Sequence, residues 1–115
     1  MIGFKLKRVY ESPSGGDGYR ILVDRLWPRG RRKDEAQLDE WNKDIAPSST
    51  LRKWFNHQPE RFEAFATKYR AELESKTADL QRLRDLATTN VVTLLYAAKD
   101  ETHNQAVVLK RILES

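Results

Sequence analysis

From Val91 to Ala98 every residue except Thr93 is apolar, and the run opens on two valines. A short run without polar alternation, β-branched at its start, predicts a strand covered on both faces. Such a strand needs a layer on each side, so the chain is confined to an α/β arrangement with a mostly parallel sheet. A second run, Ile21-Leu22-Val23, sits inside a predicted strand over Tyr19 to Leu26 that Pro28 and Gly30 close. The stretch between the two runs has helical spacing. A strand-to-strand connection of that length through helices predicts a right-handed parallel crossover.

The remaining elements follow from periodicity and punctuation. Phe4 and Leu6 alternate with Lys5 and Lys7, which predicts a half-exposed edge strand over Phe4 to Tyr10. Ser12 to Gly18 is a loop on turn chemistry, and its length leaves the first two strands free to pair as a hairpin or to cross over. Asp34 and Gln37 have the spacing of a capping box for a helix presenting Leu38, Trp41 and Ile45 until Pro47 stops it. Ser48 or Ser49 caps the next helix, with Leu51, Trp54 and Phe55 inward. Phe62, Phe65, Ala66, Tyr69 and Leu73 form an apolar stripe that Leu80, Leu83 and Ala87 extend through a break near Ser75 to Thr77. Thr102 and Gln105 are spaced as a capping box for the final helix, whose stripe is Ala106, Leu109, Ile112 and Leu113. The expectation is therefore one domain over 1–115, with about three strands flanked by helices.

Composition removes several function classes. The chain has 115 residues and no cysteine, so disulfides, thiolate catalysis and Cys-ligated zinc or iron–sulfur clusters are excluded. The amino terminus alternates apolar and basic residues rather than forming the apolar core of a signal peptide, and no run is long enough to span a bilayer. The expectation is a cytoplasmic protein with no membrane partner. Lys and Arg total 21 against 17 Asp and Glu, an excess too small for a dedicated nucleic-acid binder. The charge is uneven, however: Arg25, Arg29, Arg31, Arg32 and Lys33 fall together without an acid among them.

Chemistry-bearing residues cluster after the two apolar runs. Arg20, Asp24, Arg25 and Arg29 surround the carboxyl end of the first, the region where open α/β sheets bind ligands. Arginine suits phosphate or carboxylate because its planar fork donates two parallel hydrogen bonds. The competing reading is an Asp24–Arg pair that merely closes a strand end. After the second run, Tyr96, Asp100, His103 and Asn104 lead into the last helix, whose free N–H groups favour an anion. There the competing reading is a cap made by Asp100 and Thr102. His57, Arg52 and Lys43 are further contributors from the intervening helices. Asp24 and His103 are the pair that could move a proton. His57, His103 and an aspartate lack metal-ligand spacing, so neither a metal nor another cofactor is expected. Ser48 and Ser49 follow Pro47 at a helix start and read as caps rather than nucleophiles.

Leu22 to Gly30 (LVDRLWPRG) resembles the signature of the YeaO-like family of uncharacterised bacterial proteins, domain of unknown function family 488. Ala46 to His57 (APSSTLRKWFNH) and Thr93 to Leu109 (TLLYAAKDETHNQAVVL) are similar to its other blocks, and Lys7 to Tyr10 and Asp17 to Arg20 fit as well. The resemblance covers nearly the whole chain but implies no established activity. Longer relatives carry a Cys-His-Arg segment near Thr102-His103-Asn104, and this chain has no cysteine there, so thiol chemistry does not carry over.

The leading functional expectation is a site for a small phosphate- or carboxylate-bearing ligand at the carboxyl edge of the sheet, with or without catalysis. The second is a nucleic-acid accessory protein whose Arg25 to Lys33 loop tracks phosphates weakly and without sequence preference. The helical spacing of the aromatic residues argues against exposed stacking platforms. The third is a protein-interaction module that meets an acidic partner. Oligomeric state is not legible in the sequence.

Overall fold

The computed structural model describes residues 3–115. Strands β1 (Phe4–Arg8), β2 (Tyr19–Leu22), β3 (Glu40–Trp41) and β4 (Val92–Tyr96) form one sheet in the order β1-β4-β2-β3, every pair parallel. The helices are α1 (Lys33–Ala36), α2 (Ser49–Phe55), α3 (Phe62–Leu73), α4 (Thr77–Leu86) and α5 (Gln105–Glu114). β1 and β2 do not pair with each other. β4 lies between them, with Leu94 opposite both Leu6 and Ile21, so the first connection is a crossover and not a hairpin.

The period of two divides the sheet into two differently covered faces. Ile21, Val92, Leu94 and Tyr96 point into a large core with side chains of α2 to α5. Val9, Leu22 and Leu95 point the other way, against Ala36 of α1 and the partly buried Trp27, Leu38 and Trp41. All five residues of β4 are buried, which is why that segment shows no polar alternation.

Three elements differ from the sequence expectation. The helix expected from Asp34 to Ile45 stops after a single turn, because Gln37 turns left-handed at φ 46°. Asp39 then clips the chain to β2: its N–H donates to the Arg20 carbonyl at 2.8 Å, and its carboxylate accepts the Arg20 N–H at 2.8 Å. Trp41 enters the sheet as the fourth strand instead of riding a helix. The capping carboxylate is also displaced, since Glu35 accepts the Arg32 N–H. Second, β2 ends at Leu22 rather than Leu26. Val23 donates a final ladder bond to the Leu95 carbonyl, and then the Asp24 side chain, not a backbone carbonyl, receives the Ala97 N–H. Third, Asn104 and not Thr102 caps α5, by accepting the Val107 N–H at 3.0 Å.

Ser48 caps α2 through the Leu51 N–H, and Leu51 and Phe55 are buried. Trp54, expected inward, lies on the outer side of α2, with the Arg61 guanidinium and the Lys68 ammonium over its ring. No described helix is long and apolar enough to cross a membrane.

Candidate functional site

After β2 the chain turns towards α1 on one face of the sheet. After β4 it turns into α5 on the other. Adjacent parallel strands whose outgoing connections diverge leave a crevice beyond their carboxyl ends. Here the crevice is a cleft of about 580 Å³, bounded by Asp24 to Arg29, by Ala97 to Gln105, and by the end of α2 with His57.

Asp24 lies at the junction. One carboxylate oxygen accepts the Ala97 N–H at 2.8 Å and the other accepts the Gln105 side-chain amide at 2.7 Å. Its carbonyl takes the Trp41 indole N–H at 2.7 Å. A single residue thus ties together the ends of β2 and β4, the start of α5 and the β3 edge. Burial pushes its carboxyl up to about 6, against the opposing pull of those two N–H donors and of Arg52 and His57.

A stability effect follows, with its sign fixed. The folded chain holds this proton more tightly than the unfolded chain, whose value is near 4. The contribution is therefore fully present below about pH 4 and is lost as pH rises through about 6. It amounts to at most about 2–3 kcal/mol. Urea unfolding between pH 4 and pH 7 is expected to show this fall in the wild type and not in Asp24→Asn. Parallel profiles would show that the Asp24 proton is not coupled to folding.

His103 belongs to a separate group. Its Nδ1 lies 3.0 Å from Asp100 Oδ2, and its ring meets the edge of Phe62 with centroids 5.2 Å apart. Asp100 also accepts the N–H groups of Thr102 and His103, and these bonds, the Thr102 N–H first, hold its carboxyl well below the usual range. With Nδ1 committed to a carboxylate, Nε2 is the nitrogen left for another partner. Asp24 and His103 line the same cleft but make their hydrogen bonds to different partners.

The cleft is cationic. Arg25, Arg29, Arg52 and Lys99 line it with His57 and His103, against the carboxylates of Asp24 and Asp100. These cations are not equivalent. Arg25 donates to the carbonyls of Pro47 and Ala46, so it anchors the approach to α2. Among the described residues, the Arg29 and Arg52 guanidinium groups have no hydrogen bond or ion pair within the protein, and both residues are exposed. Phe55, Phe65, Pro47 and Trp27 supply apolar lining.

Of the eleven residues the sequence nominated, the structure brings eight into this cleft and leaves Arg20, Lys43 and Tyr96 out. Arg20 points to the α1 face, where it is 4% exposed and donates to Asp17 and to the carbonyls of Ala36 and Gln37. Tyr96 is part of the core. Sequence reasoning missed Gln105, taken only as a capping residue, and also Lys99 and Tyr10. Their proximity to the two nominated loops was the available signal. A more open depression of about 660 Å³ beside Trp41 to Asp44 and Ser75 to Asp79 sets Lys43 and Lys76 against Asp44 and Asp79. Its Asn42 amide bonds Asp79 and Glu40, and the Lys43 ammonium lies over the Trp41 ring. No group of three His, Asp or Glu side chains suited to a metal ion occurs among the described residues.

Comparison with known proteins places the chain among relatives. A family model described as the inactive DUF488-N3 subclade matches residues 3–115. The uncharacterized protein YeaO of Escherichia coli K12 is 46% identical over 114 residues, covering 99% of each chain. The uncharacterized proteins Rv3073c of Mycobacterium tuberculosis H37Rv and Mb3100c of Mycobacterium bovis are each 46% identical over 109 residues, covering 95% of this chain and 92% of theirs. No solved structure matches significantly.

Proposed function

Because the chain belongs to the inactive DUF488-N3 subclade, we propose that its cleft binds a small phosphate- or carboxylate-bearing ligand rather than turning one over. The observation that carries this reading is the pair Arg29 and Arg52, which line the cleft with no acceptor among the described residues. A guanidinium meets an oxyanion with two parallel hydrogen bonds, and Lys99 adds to the same field. Asp24 serves here as a positioning residue. Its two oxygens already accept hydrogen bonds, so it holds the two loops at the spacing the cations need.

The alternative reading as a nucleic-acid accessory draws less support. Arg25 is engaged with carbonyls, and Arg31 donates to the carbonyls of Val9 and Glu35. Arg32 pairs with Asp34 and Glu35, so the Arg25 to Lys33 segment is not a continuous row of free cations, and weak, salt-sensitive binding is all that Arg29 and Lys33 would supply.

A ligand at ten times its dissociation constant adds about 1.4 kcal/mol to the folded state. For a domain of this size that is a melting shift of roughly 4–6 °C. Concentrated phosphate is expected to raise the melting temperature of the wild type above that in chloride at matched ionic strength. Arg29→Ala and Arg52→Ala should fold, since both side chains are exposed, and each should reduce the phosphate-specific part of the shift. If both variants respond as the wild type does, the cleft is not an anion site.

A further inference from the structure

An isolated phosphate would leave most of a 580 Å³ cleft unfilled, and part of the remaining lining is apolar. Leu26 stands 58% exposed at this cleft, and Tyr10, which also lines it, is 37% exposed. They are two of only three large apolar side chains left exposed among the described residues. Tyr10 is fixed in orientation. Its hydroxyl donates to the Arg29 carbonyl at 2.7 Å, and the Arg8 guanidinium sits 5.1 Å from its ring centroid. The same bond couples the ring to the loop that carries the unpaired Arg29 side chain. A held ring, an exposed leucine and unpaired guanidinium groups on one cleft are the parts needed to recognise an anion joined to an apolar body.

Resting on the anion-site reading, we propose that the natural ligand carries its phosphate or carboxylate on a flat ring. The ring packs on the Tyr10 and Leu26 wall while the anionic group meets Arg29 and Arg52. Ring and anion are then read by different residues, so they can be tested apart.

The probes are inorganic phosphate, ribose 5-phosphate, phenyl phosphate and benzoate, titrated into wild type, Leu26→Ala, Arg29→Ala and Arg52→Ala by calorimetry at constant ionic strength. Phenyl phosphate or benzoate is expected to bind about tenfold more tightly than ribose 5-phosphate, the gain of one aromatic contact. Which of the two does so identifies the anionic group. Leu26→Ala should fold, since the side chain it removes is mostly in water, and should weaken the ring-bearing ligand several-fold while leaving inorganic phosphate unchanged. Equal affinities for the ring-bearing probes and ribose 5-phosphate, or no effect of Leu26→Ala, would overturn the inference. In that case Arg29-dependent phosphate binding would still uphold the anion site. If no probe binds in an Arg29- or Arg52-dependent way, the anion site and the ring inference fall together.

Discussion

Gly18→Ala is expected to destabilise the protein by about 2–6 kcal/mol, against a total of roughly 5–15 kcal/mol for a domain of ordinary stability. Gly18 links the turn at Gly15–Asp17 to β2 with φ at +62°, a conformation that costs an alanine about 1–3 kcal/mol. The added methyl would also run into the Val91 carbonyl oxygen and lie 2.9 Å from Val91 Cβ. That carbonyl cannot easily give way, because it accepts the Tyr19 N–H at 2.8 Å and so starts the β2–β4 ladder. Overpacking of this kind adds about 1–3 kcal/mol. Gly15 provides the control: nothing lies within 4 Å of an added methyl and its φ is ordinary, so Gly15→Ala should stay within about 0.5 kcal/mol of wild type. Urea unfolding of the two variants checks this. Equal midpoints would mean that the junction relaxes freely and that β2 is not pinned at its start.

How much of this was legible beforehand depended on whether local pattern and tertiary pairing agreed. β4 announced itself because burial on both faces leaves an uninterrupted apolar run, and α3 to α5 because their stripes face a core at the helical period. β3 was illegible for the opposite reason. Leu38, Trp41 and Ile45 do have helical spacing, but the Asp39 bonds to Arg20 capture the chain for the sheet, and no local rule registers a partner nineteen residues away. Trp54 was misplaced because the size of an indole says nothing about the Arg61 and Lys68 that cover it from outside. The candidate site was legible as two loops, since each follows a buried strand. That they adjoin follows only from β4 lying between β1 and β2, an order that two short apolar runs do not encode. Arg20 was nominated for its nearness in sequence to Asp24. The alternation of β2 sends it to the opposite face from Ile21, beside Leu22, and that parity could have been applied from the start.

That same parity sets up the second large effect. Asp17→Ala is expected to lower stability by about 3–5 kcal/mol, the cost of leaving a buried partner charge unpaired. In a domain of this length that is a fall of very roughly 12–25 °C in melting temperature. Asp17 is 5% exposed and accepts from Arg20, from Lys7 at 3.1 Å, and from the Ser14 N–H at 3.0 Å and hydroxyl at 2.9 Å. Burial alone would raise its carboxyl, but the Ser14 N–H, then Lys7, the Ser14 hydroxyl and Arg20 outweigh it and hold the value well below the usual range. A depressed folded value contributes stability that is present above about pH 4 and is lost as pH falls through the folded value. The acid side of the wild-type stability curve should therefore be steeper than that of Asp17→Asn, while Asp24 acts between pH 4 and 6 with the opposite slope. The network lies where β2 begins and the cleft lies where it ends, which separates stability from binding. Asp17→Ala, measured below its lowered melting temperature, should keep the Arg29-dependent response to phosphate at wild-type size. A changed response would mean that the released Arg20 reaches the ligand, and Arg20 would return to the binding set. An unchanged response with a large loss of stability identifies Arg20 and Asp17 as the ion pair that fastens α1 to the back of the sheet.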